Sequence, residues 1–587
     1  MGRSVLDRLP VLLLVVLAIG PLNSDNVRMT ELCNIALHLA EVAKQQPARI
    51  AIHCPIRFGG KGVVNYRSMT FAELAQETDW IAAGLAASGI GRGVRTALMV
   101  RPSIKLFVLM FALFKVGAVP VLIDPGISQR QLRQCLKEAA PAAFIGVPLA
   151  QAASLLLGWA RASIRQRVTV NGRRWFWGGR DYAGIRALGR AQAPFQLADT
   201  RGSELAAILF TSGATGVPKG VEYSHQQFAA QVEMIRTHFG IWPGEVDMPT
   251  FPPFALFDPA LGMTSVIPDM DPTRPARVDP AKLVAAIERH EVTTMFGSPA
   301  LIEVLTRYLE AHGRHLAHLR RVISAGAPVS ADTVARLLRL LPPKAQIFTP
   351  YGATECLPVC AIEAHELLAV AHLTAEGAGI CVGRPLPENQ LRLIRIDDGE
   401  VLGVGPEYGV AHGAVGEIVV RGPTMSRSYF GRPEANRLGK ITTREGVWHR
   451  MGDLGRFDKQ GRLWYLGRKV HRVETGNGLF LPEAVEGIFN THPSVRRSAL
   501  IGLDDQGRRL PGVCIELKDN LASREWAPIC NDLRKLALRH ATTAAIRHFY
   551  LHPGFPVDIR HNAKIDRTAL ALWARKRKSP RAALAAF

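Results

Sequence analysis

Apolar and polar positions alternate between two rhythms along most of the chain. Thr70-Phe-Ala-Glu-Leu74 predicts a helix start, with Thr70 as cap and Glu73 in the reciprocal capping position. Ile81, Leu85 and Ala86 continue its apolar face. Arg95–Val100 reads as a strand, Phe107–Val116 as a helix ended by Gly117, and Val119–Ile123 as a second strand. The run Leu205-Ala-Ala-Ile-Leu-Phe210 is short, continuous and apolar, as a buried strand is. Arg321-Val-Ile323 predicts another. Strands alternating with helices argue for parallel sheets covered by helices. Farther on, residues 457–468 read as a hairpin with a glycine turn, residues 475–478 as a turn, and Pro482–Phe489 as a short helix. The predicted class is α/β: a large N-terminal domain of packed α/β subdomains, then a small, mobile α+β C-terminal domain. The expected limits are 29–467 and 468–578, with a basic tail at 579–587.

Residues 1–28 stand apart. Arg3 and Arg8 precede an apolar stretch from Pro10 to Ile19, too short for a comfortable membrane span and similar to a signal-peptide core. Met29 reads as a natural start. Three readings stay open, in this order: an over-long gene start, an N-terminal membrane anchor, and a true signal. The eight cysteines are scattered without a Cys-x-x-Cys pair, against a zinc site or disulfide framework and for a reducing compartment. A cytoplasmic location is expected, with membrane association left open. The net charge of +22 is spread along the chain, apart from a cluster at 575–578. Such a surface suits anionic ligands, an anionic membrane face or an acidic partner. No aromatic-basic interleaving supports nucleic acid.

The chemistry concentrates in a few short stretches. Residues 211–221 follow the predicted strand at 205–210. Gly213, Gly216 and Gly220 let the backbone turn tightly and approach a ligand. Thr211, Ser212 and Thr215 supply hydroxyls and Lys219 a point charge, the parts of a loop that wraps an oligophosphate. The spacing is not that of a Walker loop. A Gly/Thr-rich stretch is ordinarily a surface loop; here the order of residues sets it apart. Residues 250–274 cluster prolines and aromatics, as a rigid loop beside an apolar pocket does.

Thr-Ser-Gly-x-Thr-Gly-x-Pro-Lys-Gly resembles the phosphate loop of the adenylate-forming superfamily, which includes acyl-CoA synthetases, luciferases and peptide-synthetase adenylation domains. Four further stretches agree with that resemblance. Ser324-Ala-Gly326-Ala327-Pro328 resembles the turn on which adenine stacks. Tyr351-Gly352-Ala-Thr354-Glu355 resembles Tyr-Gly-x-Thr-Glu: the resemblance implies Tyr351 beside adenine, Thr354 on the α-phosphate and Glu355 as the Mg²⁺ ligand. Trp448 to Asp453 resembles Trp-x-x-x-Gly-Asp, which implies Asp453 on both ribose hydroxyls, with Arg468 nearby. Asn562-Ala-Lys564-Ile-Asp-Arg567 resembles the C-terminal Gly-Lys-Ile-x-Arg signature. It makes Lys564 the lysine that reaches the carboxylate and α-phosphate once the small domain closes. Phe254 and Phe257 are the implied acyl-pocket residues.

At finer scale the chain resembles the olefin β-lactone synthetases over nearly all of 29–578. That resemblance implies ATP and Mg²⁺, and a 2-alkyl-3-hydroxy fatty acid activated as its adenylate. The substrate's own hydroxyl then closes a β-lactone, and neighbouring enzymes act before and after. Val470 stands at the family hinge position, and the segment after it departs from the pattern that forms the CoA tunnel. Three readings remain: a β-lactone synthetase, a fatty acyl-CoA ligase, and a non-enzymatic nucleotide-binding scaffold. Retention of Lys219, Glu355, Asp453 and Lys564 argues against the last.

Overall fold

The structure is a computed structural model that describes residues 32–577, apart from 61, 125, 193, 212–217, 477, 506–507, 519–525 and 558–564. The leader, most of the phosphate loop and Lys564 thus lie outside the described residues.

Two large sheets form the N-terminal part. The first has seven strands in the order 180–181, 166–169, 143–146, 95–99, 119–123, 205–211 and 219–224. All its neighbours run parallel except the last pair. The second has nine. Its parallel centre (346–353, 321–323, 294–296, 246–249, 264–266, 50–55) is flanked by antiparallel edge strands. The helix Ile104–Lys115 buries every residue from Phe107 to Phe114. A helix that is apolar all round belongs inside a core. Its core includes Ile52, Phe296 and Ile323 of one sheet and Ile145 and Ala206 of the other. The helix Phe71–Ala87 begins with the reciprocal Thr70/Glu73 cap. The helix start at 104, three residues ahead of the Phe107 predicted from the apolar run, takes Ile104 and the amphipathic Lys105 into the first turn.

A third, antiparallel sheet follows, built on strands 390–394, 416–421, 446–457 and 463–468. Beyond Arg468 the chain makes a tight hairpin (473–475 with 478–480) and a three-stranded sheet (495–505, 508–517, 548–551). The helices Pro482–Phe489 and Trp526–Leu538 cover a separate core around Val485, Phe489, Val513 and Phe549. Several contacts tie this part to the rest, among them Arg472 with Asp398 at 2.6 Å. Lys469 Nζ reaches the buried Glu417 carboxylate at 2.9 Å, and a side chain at Gly467 would meet Pro482 at 2.9 Å. All eight cysteines are unpaired. Among the described residues no helix is long and apolar enough to cross a membrane.

Candidate active site

In open α/β sheets, ligands bind beyond the carboxyl ends of the parallel strands. The strand Arg321–Ile323 ends there in Ser324-Ala-Gly-Ala-Pro328. Gly326 takes φ +94°, a left-handed conformation that costs glycine nothing. Gly326 and Pro328 are exposed and Ala327 is half-buried, so this turn offers a flat backbone edge. The adjacent strand Gln346–Ala353 carries Tyr351 and Gly352. A Cβ on Gly352 would stand 2.7 Å from the Cys356 carbonyl oxygen, so no larger residue fits the turn into the next strand.

Tyr351, Asp453 and Arg468 come together from two sheets. Asp453 is buried, and Arg468 sits directly opposite it on the neighbouring strand. The Tyr351 hydroxyl donates to Asp453 Oδ2 at 2.6 Å, and Arg468 Nη1 lies 3.2 Å from Oδ1. Arg468 also donates to the Met451 carbonyl at 3.1 Å. Burial and the Asp453 charge keep the Tyr351 phenol protonated, and Asp453 holds the guanidinium charged. The result is an acceptor held in place by a phenol and a guanidinium.

Thr354 and Glu355 follow in the same turn. The Tyr223 hydroxyl donates to the Thr354 carbonyl at 2.5 Å. Glu355 Oε1 accepts from the Tyr429 hydroxyl at 2.8 Å, and its carbonyl accepts from Ser426 N–H at 2.7 Å. Burial alone would push the Glu355 carboxyl up. His449, the Tyr429 hydroxyl and the Lys440 ammonium more than offset this and hold it below the ordinary range. Lys219 opens the strand Lys219–Ser224 opposite Thr211, and its ammonium lies 4.9 Å from the Tyr429 ring centroid. Lys440 lies 5.2 Å from that ring and donates to Ser426 Oγ at 3.1 Å. Its burial lowers its pKa to about 8. Two lysines and a carboxylate thus share one tyrosine.

Next to this polar cluster is an apolar cavity of about 180 Å³. Thr354 lines it, with Phe228, Phe254, Phe257, Phe296 and Leu357. Phe254 stacks on Phe296 at 3.9 Å. The stretch expected as a loop at 250–274 instead contains two four-residue helices, Pro252–Ala255 and Asp258–Leu261, and the strand Thr264–Val266. Proline in the first turn starts each helix at no cost in hydrogen bonds. At the far end, Asp247 and Asp258 are both buried in the wall.

The structure therefore joins Tyr351, Asp453 and Arg468 directly, follows Tyr351 with Gly352, Thr354 and Glu355, brings Lys219 to Glu355 through the shared Tyr429, and sets Gly326, Ala327 and Pro328 after the strand next to that of Tyr351. The backbone of Thr211 joins them, while Ser212, Gly213, Thr215, Gly216 and Lys564 lie outside the described residues. Arg567, three residues past Lys564, pairs with Glu486 at 2.7 Å, and its charge acts on Tyr465 beside Arg468. Tyr223, Tyr429 and Lys440 belong to no motif. Tyr223 reaches Thr354 and Tyr429 reaches Glu355 across 131 and 74 residues of sequence, and Lys440, close in sequence to Ser426 and Tyr429, acts on Glu355, so only the fold reveals them.

Residues 39–430 match the family described as AMP-binding enzyme. The chain is 54% identical to an olefin β-lactone synthetase of Xanthomonas campestris over 564 residues, covering 94% of this chain and 100% of that protein. It is 53% identical to an olefin β-lactone synthetase of Stenotrophomonas maltophilia, covering 93% and 99%. The fold is shared with the amide bond synthetase McbA of Marinactinospora thermotolerans (TM-score 0.73, 24% identity, 92% of this chain and 99% of that one). It is shared too with the anthranilate CoA ligase AuaEII (TM-score 0.75, 19% identity, 94% and 99%).

Proposed function

This chain belongs to the AMP-binding enzyme family, and on that premise we propose that it activates a 2-alkyl-3-hydroxy fatty acid with ATP and closes the acyl-adenylate to a β-lactone, in a route to long-chain olefins. The observation that carries the reading is the position of Thr354. It lines the apolar cavity and directly precedes Glu355, beside the Tyr351–Asp453–Arg468 group. A chain seated in that cavity would present its carboxylate where the nucleotide's phosphate would lie. The names of the two relatives support the cyclising step.

In this reading Asp453 and Arg468 hold the ribose. Tyr351 and Gly326-Ala327-Pro328 hold adenine. Thr354 contacts the α-phosphate. Thr211, Ser212, Gly213, Thr215, Gly216 and Lys219 hold the departing pyrophosphate. Glu355 fits Mg²⁺, because it is an ionised oxygen donor in a polar cluster, as a hard cation requires. When bound, the ion neutralises phosphate charge. The substrate carboxylate attacks the α-phosphorus and the bond to pyrophosphate breaks, with Lys564 reaching both reactants from the small domain.

In the second half the 3-hydroxyl oxygen bonds to the carboxyl carbon. The bond from that carbon to AMP breaks, AMP leaves with the electron pair, and the hydroxyl proton passes to its phosphate. Tethering supplies an effective concentration of up to roughly 10⁵–10⁸ M for well-oriented groups, against the strain of a four-membered ring. Enzymes that build the hydroxy acid and consume the lactone are its implied partners.

Pyrophosphate exchange into ATP tests the first half. Exchange should depend on the hydroxy acid and collapse in Lys564→Ala, while that variant still binds ATP. Exchange with no fatty acid at all would overturn the reading, and near-normal exchange in the variant would remove Lys564 from it.

A further inference from the structure

Gln231 stands on the helix His225–His238, 4% exposed, and lines the apolar cavity. Its Nε2 donates to the Leu357 carbonyl at 3.0 Å. That bond fixes which end of the amide is nitrogen. The other end, Oε1, is a buried acceptor that no donor reaches. Buried polar atoms in folded proteins are almost always paired, so an unpaired one calls for an explanation.

Its location narrows the explanation. Leu357 is three residues past Thr354. Tyr223, whose hydroxyl donates to the Thr354 carbonyl, also faces the Gln231 amide and lines the cavity. The orphan oxygen therefore belongs to the Thr354 end, where the reacting carboxylate would sit. The Asp247 end of the cavity is set back along the sheet. Asp247 is level with Thr294, Arg321 and Gln346 in adjacent strands, and Gln346 is five residues before Tyr351. At about 3.3 Å per residue that is roughly 17 Å.

We propose that Gln231 Oε1 accepts a hydrogen bond from the 3-hydroxyl of the acid, so that the cavity selects 3-hydroxy acids over plain fatty acids. The inference rests on the functional reading above and names the feature of the substrate that the site recognises. A hydroxyl two carbons beyond the carboxyl carbon enters the cavity just past Thr354. A neutral carboxamide accepts its hydrogen bond without removing the proton. The hydroxyl oxygen keeps its lone pairs for the carboxyl carbon and is held against free rotation. An acid without the hydroxyl leaves Oε1 unpaired, the kind of mismatch that discriminates strongly because the buried group gains no partner.

The test compares two acids of equal chain length, one with and one without the 3-hydroxyl, by kcat/KM for pyrophosphate exchange. Wild type should prefer the hydroxy acid about tenfold or more. Gln231→Met, close in shape but without the acceptor, should erase that ratio. An unchanged ratio in the variant, or an equal fall for both acids, would mean that Oε1 holds only water or the local packing, and would overturn the proposal. Equal use of the two acids by wild type would overturn it whether or not the variant folds, and would leave the adenylation reading standing. No exchange with either acid would overturn both.

Discussion

Replacing Asp247 by asparagine should change how the stability of the large domain depends on pH, and the direction follows from burial. Asp247 lies in the cavity wall, and desolvation raises its pKa to about 7; the nearby Arg321 acts against that shift and Glu245 with it. Asp258 faces it and is raised as well, by burial and by the Asp247 charge. Asp247 Oδ1 and Asp258 Oδ2 are both buried without a donor. A proton shared between the two carboxyls supplies one. An unfolded aspartate titrates near 3.9. The folded state therefore binds a proton more tightly than the unfolded state does. This contribution is fully present below about pH 4 and is lost as pH rises through 7. From 3.9 to about 7, at ~1.4 kcal/mol per pH unit, the loss is at most about 4 kcal/mol, with roughly two-thirds of it falling between pH 5 and 7. Asparagine carries no charge to desolvate and donates to Asp258 at every pH. Urea unfolding of wild type and Asp247→Asn, followed through the large-domain transition from pH 5 to 8, should show the variant gaining steadily on wild type. Parallel profiles, or a wild type that gains on the variant as pH rises, would refute the argument.

Two further substitutions test the nucleotide side. Asp453→Ala removes the acceptor that Tyr351 and Arg468 hold in place. Hydrogen bonds to a charged group are worth ~1.5–3 kcal/mol, so ATP affinity by calorimetry should fall at least tenfold; unchanged affinity would take the ribose away from Asp453. Gly352→Ala puts a methyl 2.7 Å from the Cys356 carbonyl oxygen and 2.8 Å from Leu357 Cδ1. It should cut kcat/KM for exchange at least tenfold, about 1.4 kcal/mol or more, with the circular dichroism spectrum retained; wild-type kinetics would show that the turn tolerates a side chain.

Much of the scaffold was legible in sequence because its signals are local. The strand Val119–Ile123 and the helix Pro482–Phe489 end where a continuous apolar run and a first-turn proline predict. The Thr70/Glu73 cap is spelled by two residues three apart. The 250–274 stretch reads as a loop in sequence because helices of four residues are too short to show a 3.6-residue period. Lys219 reads as a loop residue beside glycines, yet it opens a strand paired to Thr211. Motif order marked Tyr351, Glu355, Asp453 and Arg468. It could not mark Gln231, Tyr429 or Asp247. A lone glutamine on a helix, a tyrosine after a serine and an aspartate in a short strand acquire meaning only from partners that the fold brings to them, such as Leu357, Glu355 and Asp258.

The most direct test of the central claim is the product formed from ATP, Mg²⁺ and a 2-alkyl-3-hydroxy fatty acid without CoA, identified by mass spectrometry and NMR. The account predicts a β-lactone with one AMP released per ring closed. Acyl-CoA as the sole product, formed only when CoA is added, would contradict it and make the enzyme a fatty acyl-CoA ligase.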